Sequence, residues 1–183
     1  MFDDIINCLW LGCSDVPGAG EGAIISPSSK IIFHDNIANL VAASDVNCLS
    51  AMQYAVDLCF VKNIVVCGHY GCRGVAPAVG NHKFDFLSNW INPVLRSAAK
   101  YKFLLDGIAD ASDRLDALCE LNVIEQVAAA SRTTVVREIW ESGQNLSVHG
   151  LIIDRHNRFI EDFHLSISEI DMPVAEHTAA IVA

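Results

Sequence analysis

The sequence predicts an α/β protein with a mostly parallel central β-sheet flanked by helices, and three observations carry that expectation. Short apolar runs alternate with longer amphipathic stretches, and a strand, helix, strand, helix order builds a parallel sheet with helices on its faces. Ile64–Cys67 is a continuous apolar run rich in β-branched residues, the pattern of a strand buried on both sides. The densest chemistry in the chain, Cys13-Ser14-Asp15 and His69-Tyr70-Gly71-Cys72, directly follows two of the strands. In such folds ligands bind beyond the carboxyl ends of the strands.

The elements follow in order. Ile5–Leu11 reads as a strand running into Gly12-Cys13-Ser14-Asp15. Residues 16–29 are rich in Gly, Pro and Ser, which predicts a long loop. Lys30–Phe33 is a second strand. Asn47–Phe60 is a helix, because Leu49, Met52, Val56 and Phe60 recur at helical spacing and Asp45 or Asn47 can cap its start. Residues 84–130 are mostly helical with a break near Asp106-Gly107, and Thr134–Trp140 continues as helix until Gly143, a C-terminal cap. Leu146–Ile153 is a last core strand, and Phe159–Phe163 pairs with it after the turn Arg155-His156-Asn157. The tail over 171–183 is weakly patterned and is expected to be loose or docked on a partner.

Composition bounds the function. With 183 residues, 52% of them hydrophobic and 19% charged, the chain is read as a single domain over 1–183 with a real core. Twelve Lys+Arg against 22 Asp+Glu give a net charge of −10, which disfavours nucleic acid and anionic membrane surfaces as partners. No stretch approaches the ~20 apolar residues of a membrane-spanning helix, and Met1-Phe2-Asp3-Asp4 is acidic where a signal peptide is basic. The expected compartment is cytoplasmic. Seven cysteines, an odd number, argue against a disulfide framework.

Two thiolates and one imidazole suit zinc and leave a fourth tetrahedral position open. His69 and Cys72 lie three apart after a strand, and Cys13 ends another. Asp15 either takes the fourth position or hydrogen-bonds its occupant. Cys8, Cys48, Cys59, Cys67 and Cys119 lie on apolar faces and are read as packing. A covalent role for Cys72 with His69 as base leaves Cys13 unexplained. Gly18-x-Gly20-x-Gly22 lacks the following helix that a phosphate cradle needs. His34, His82, His149, His156, His164 and His177 show no pairing that suggests a second metal, although His82 or His156 near the mouth would relay protons. Trp10, Phe33, Tyr54, Val75 and Leu87 are read as core, pocket wall or subunit contact.

Gly12-Cys13-Ser14-Asp15, His34-Asp35-Asn36-Ile37-Ala38-Asn39, Asn47-Cys48-Leu49-Ser50, Gln53-Tyr54-Ala55, Cys67-Gly68-His69-Tyr70-Gly71-Cys72, Asn122-Val123 with Gln126-Val127, and Ser147-Val148-His149-Gly150 occur in this order. The set resembles the β-class carbonic anhydrases over roughly residues 8–165. The resemblance implies a zinc lyase (carbonate dehydratase) that hydrates carbon dioxide reversibly to bicarbonate, with one Zn2+ per chain on Cys13, His69 and Cys72. In that family zinc lowers the pKa of its water toward ~7 to give a hydroxide nucleophile, and the aspartate matching Asp15 orients it. The resemblance also implies a homodimer or higher homo-oligomer.

The likeness breaks beside the site. The family reads Cys-x-Asp-Ser-Arg, its arginine pairing with the aspartate and keeping it off the metal, whereas this chain reads Cys13-Ser14-Asp15-Val16-Pro17. Aligned without gaps, Pro17 replaces that arginine; aligned on the family's later Val-Pro, the arginine is deleted. Proline brings neither charge nor N–H. The family's His-Arg-Asn is His34-Asp35-Asn36, and its Cys-Gly-Gly is Cys72-Arg73-Gly74. Three outcomes stand open. Asp15 closes the site as a fourth ligand and leaves a silent homologue. Arg73 pairs with Asp15 from another direction, unless it is only a solvated surface arginine. Or the altered loop admits another small electrophile such as carbonyl sulfide.

Overall fold

Alternating apolar runs fold into one five-stranded sheet of order β2-β1-β3-β4-β5. A computed structural model describes residues 7–17, 30–80, 85–154 and 160–169. The strands are β1 (Cys8–Cys13), β2 (Ile31–Asn36), β3 (Asn63–His69), β4 (Ser147–Ile153) and β5 (Ile160–Ile167). The first four pair in parallel, and β5 closes one edge antiparallel to β4 with an irregularity between Gly150 and Leu151. β1 is buried at every residue and β3 at all but its first, as strands covered on both faces must be. Both strands run further than their apolar patterns suggested, so Cys13 and His69 are themselves terminal strand residues. The extension of β2 to Asn36 similarly exceeds the expected Lys30–Phe33.

The helices are α1 (Val46–Gln53), α2 (Asp85–Trp90), α3 (Asn92–Lys100), α4 (Lys102–Asp106), α5 (Ala111–Ser131) and α6 (Thr134–Glu141). Asp45 caps α1, its carboxylate accepting from the N–H groups of Asn47 and Cys48. The helix then widens into a π turn over Tyr54–Leu58. That turn ends the apolar stripe early: Phe60, expected on it, is 77% exposed at a positive φ of 57°. Cys59, expected to pack, is exposed as well. The break at Asp106-Gly107 is present, and α6 is a new helix rather than a continuation. Thr133 caps it by accepting from the Val136 N–H. Gly143 follows at φ 76°, a backbone state that glycine enters without strain.

Strand alternation sends side chains to two faces. Leu9, Leu11, Ile64, Val66 and Val148 pack with Cys48 and Met52 of α1, Val123 and Val127 of α5, and Val136 of α6. Cys8, Trp10, Val65, Cys67, Leu151 and Ile153 form a separate cluster. A third cluster joins Cys13 and Cys72 to Leu40, Val94, Leu118, Leu121 and Ile152, so the expected ligands sit inside apolar packing. Of the residues read as core, pocket wall or subunit contact, Trp10 and Val75 are buried, Leu87 lines a pocket, and Phe33 and Tyr54 are exposed. His149 is a satisfied structural histidine, its ring nitrogens 2.8 Å from Ser166 Oγ and 3.0 Å from Asn63 Oδ1. Residues 18–29, the turn Arg155-His156-Asn157, His82 and the tail lie outside the described residues, as does the side chain of His164. Among the described residues no helix is long and apolar enough to cross a membrane.

Candidate metal centre

Parallel pairing of β1 with β3 puts the ends of both strands side by side. Cys13 at one end, His69 at the other and Cys72 on the turn beyond are 3%, 2% and 2% exposed. Their donor atoms all lie within 4.8 Å of one another, and the Cys13 and Cys72 sulfurs are 3.6 Å apart. The Tyr70 carbonyl sits 3.0 Å from His69 Nδ1. A carbonyl only accepts, so Nδ1 carries the proton and Nε2 presents a lone pair. That Nε2 is buried with no hydrogen-bond partner. A buried, orphaned acceptor is costly unless something binds it, and a cation between two sulfurs would satisfy it.

The thiols carry the same message. Their mutual hydrogen bond, acting against burial, lowers Cys13 to about 4. Cys72 is pushed up, first by that bond and then by burial. A divalent cation between the two sulfurs, 3.6 Å apart, would favour the thiolate form of both. The donor set therefore fits zinc.

A polar scaffold aims the backbone at Cys13. Asn36 closes the turn after β2 reciprocally: its Nδ2 donates to the Leu40 carbonyl and its Oδ1 accepts from the Leu40 N–H, both at 2.7 Å. Inside that turn Ala38 and Asn39 take φ values of 64° and 45°, a left-handed state costly for non-glycine residues. The turn directs the Ala38 N–H to Cys13 Sγ at 3.3 Å. Buried side chains of α5 hold it there. Asn122 Nδ2 donates to the Ala38 carbonyl at 2.9 Å, Gln126 Nε2 donates to Asn122 Oδ1 at 3.1 Å, and Gln126 Oε1 accepts from the Val41 N–H at 3.0 Å. Asn122→Ala strands two buried partners at once and is expected to destabilise the fold by about 1–3 kcal/mol. A thermal melt checks it; a midpoint within about 1 °C of wild type would contradict the scaffold role.

Asp15 lies just outside the trio, with Oδ2 3.7 Å from His69 Nε2. Arg73 grips it on both oxygens. The Arg73 N–H donates to Oδ2 at 3.0 Å, and Nε donates to Oδ1 at 2.5 Å with a further guanidinium contact to the same oxygen. Burial raises the Asp15 carboxyl, but the side-chain and backbone bonds from Arg73 outweigh it and leave it below its ordinary value. The Arg73 side chain is 79% exposed and Asp15 9%. Asp15, Arg73, Ser14, Ile37, Gly74 and Leu87 line a pocket of about 360 Å³. The three donors themselves lie outside its lining; a larger groove, about 580 Å³ between α3 and α5, contains neither the donors nor Asp15.

Sequence reasoning missed a second cluster. His34, Asp45 and Cys48 also place one donor atom each within 4.8 Å of the others. Asp45 is occupied as the cap of α1, and burial followed by the Asp45 charge pushes the Cys48 thiol up to about 11. The i,i+3 spacing of Asp45 and Cys48 was legible; the approach of His34 from β2 was not.

The sequence profile of the family described as "Carbonic anhydrase" matches residues 8–158. A carbonic anhydrase of Emericella nidulans is 32% identical over 162 residues, covering 88% of this chain and 71% of the relative. One from Candida albicans is 32% identical over 167 residues, covering 90% of this chain and 59% of the relative. Among solved structures, the Coccomyxa β-carbonic anhydrase in complex with acetazolamide aligns with a TM-score of 0.82 at 28% identity, over 96% of this chain and 83% of that one. A structure from the work on two tetrameric β-carbonic anhydrases of Sordaria macrospora aligns at 0.79 with 31% identity, over 90% of this chain and 83% of that one.

Proposed function

Because this chain belongs to the β-class carbonic anhydrase family, we propose that it hydrates carbon dioxide reversibly to bicarbonate at the centre formed by Cys13, His69 and Cys72. The carrying observation is the buried, unpartnered His69 Nε2 facing two sulfurs 3.6 Å apart. When bound there, zinc supplies an acidified water from which a nucleophile is available near neutral pH.

The protein's own residues supply the rest. The reaction adds a water oxygen to the carbon of carbon dioxide and releases one proton. Asp15 is acceptor-only when ionised, and Arg73 favours that form. Oδ1 is occupied by the guanidinium, and Oδ2 spends one lone pair on the Arg73 N–H. The remaining lone pair of Oδ2 accepts the hydrogen of the attacking hydroxyl and turns its oxygen lone pairs toward the substrate. Ile37 and Leu87 give the pocket apolar walls, which suit an uncharged linear substrate. Arg73, on this reading, does from Cys72-Arg73-Gly74 what the family's arginine does two residues after the aspartate, where this chain has Pro17. The ion pair supports an open site over the closed, silent form, since Arg73 holds both carboxylate oxygens and keeps Oδ2 at 3.7 Å from His69 Nε2.

The reading extends to a single domain over 1–183, supported by one sheet with packing on its faces. It includes a homo-oligomer, supported by the Sordaria tetramers and by exposed Val46, Leu58 and Phe60. A cytoplasmic location suits the free cysteines among the described residues.

Stopped-flow hydration by the zinc-loaded protein, with carbonyl sulfide run alongside, is the test. Carbon dioxide hydration well above the buffer rate is expected. Zinc-loaded protein that hydrates nothing would restore the silent reading, and turnover of carbonyl sulfide alone would replace the substrate.

A further inference from the structure

The turn that carries two of the three ligands is tied to helix α5 by two carboxylates one helical turn apart. Gly71, between His69 and Cys72, sits at φ 62°. Asp116 Oδ1 accepts its N–H at 2.7 Å. Beside it, Glu120 Oε1 accepts the Tyr70 hydroxyl at 2.8 Å, and the Tyr70 N–H donates to the Ile153 carbonyl at 3.0 Å. The Tyr70 carbonyl in turn accepts a hydrogen bond from His69 Nδ1–H.

We propose that Asp116 is a positioning residue: it fixes the Gly71 peptide and thereby the separation and aim of His69 and Cys72 on the metal. The inference rests on the zinc reading above. Three features make Asp116 suited to the task. Its bond to an amide is charge-assisted and so stronger than a neutral one. It stands on a 21-residue helix whose start is capped by Asp110, so the anchor is rigid. That helix can lie close because β3 has glycine at 68, where a Cβ would fall 2.6 Å from Val123 Cγ2. A loop held only by its two ligands would lose entropy on binding the ion; a loop already tethered has lost it beforehand.

The test compares zinc-loaded wild type, Asp116→Ala and Asp116→Asn. Two readouts are taken: zinc affinity by competition with a chromogenic chelator, and the thiolate-to-metal absorption of the cobalt-substituted proteins. The alanine variant is expected to bind zinc roughly 10- to 100-fold more weakly with displaced cobalt bands, and the asparagine variant to fall between it and wild type. A purely structural role would lower the melting temperature and leave both readouts unmoved. Folded Asp116→Ala with wild-type affinity and spectrum overturns the proposal. If the alanine variant does not fold, the asparagine variant decides: affinity and spectrum identical to wild type overturn it, and a few-fold loss supports it. Wild type that takes up no zinc overturns the proposal and the function reading together, a result distinct from an unaltered variant.

Discussion

Cys13→Ala is expected to abolish zinc binding and to reduce carbon dioxide hydration to the buffer rate. The residue is buried at the end of a central strand and supplies one of two sulfurs in a three-donor set. Two donors, one an imidazole, are too few for a retained catalytic zinc. The loss is local: β1 keeps its pairing with β2 and β3, and the N–H groups of Ala38 and Asp15 lose the sulfur that accepts them. Zinc content is therefore expected to fall from about one per chain to near zero while far-UV circular dichroism stays close to that of wild type stripped of metal. Full zinc content in the variant, measured by elemental analysis, would place the metal elsewhere. The His34, Asp45 and Cys48 cluster would then be the first site to examine.

Arg73→Ala is expected to lower kcat/KM for hydration by roughly 10- to 100-fold, the usual scale for a residue that acts through a neighbour of the metal, with zinc content unchanged. The reason is the carboxylate it releases. Asp15 has its Oδ2 3.7 Å from His69 Nε2, and alanine removes both guanidinium contacts to Oδ1 while keeping the backbone N–H on Oδ2, so a carboxylate held by one bond is freer to turn onto the metal. Because the arginine is 79% exposed, the pair is open to counterions in a way a buried pair is not. Wild-type activity is thus expected to decline as salt rises, and the alanine variant to show little of that dependence. Unchanged kinetics for Arg73→Ala in an active wild type would assign the arginine to the surface and leave Asp15 held by some other means.

Much of the site was legible before the fold. Cys13, His69 and Cys72 carry recognisable donor chemistry at the ends of apolar runs, and parallel strands bring such ends together. Arg73 pairing with Asp15 was one of three outcomes the sequence left open, and the bonds between them appear only in the fold. Element ends were less legible. Phe60 fits a helical stripe by spacing, yet the π turn before it rotates the chain and leaves it in solvent. Cys59 follows it outward for the same reason. The buried Asn122 and Gln126 were visible as a motif but not as a support for Ala38, since nothing in α5 announces a partner 84 positions earlier.

The sequence alone determined the fold class, the identity of the metal donors and the sheet ends on which they stand, because residue chemistry and hydrophobic period are local properties. Tertiary structure decided how the neighbours of those donors are held. Arg73 reaches Asp15 across 58 positions, Ala38 turns its N–H onto Cys13 by a left-handed backbone, and Asp116 takes the Gly71 amide from a separate helix. Each depends on a directional hydrogen bond that forms only when register, turn handedness and helix placement agree to within a fraction of an ångström. Periodicity in a sequence carries no such directions.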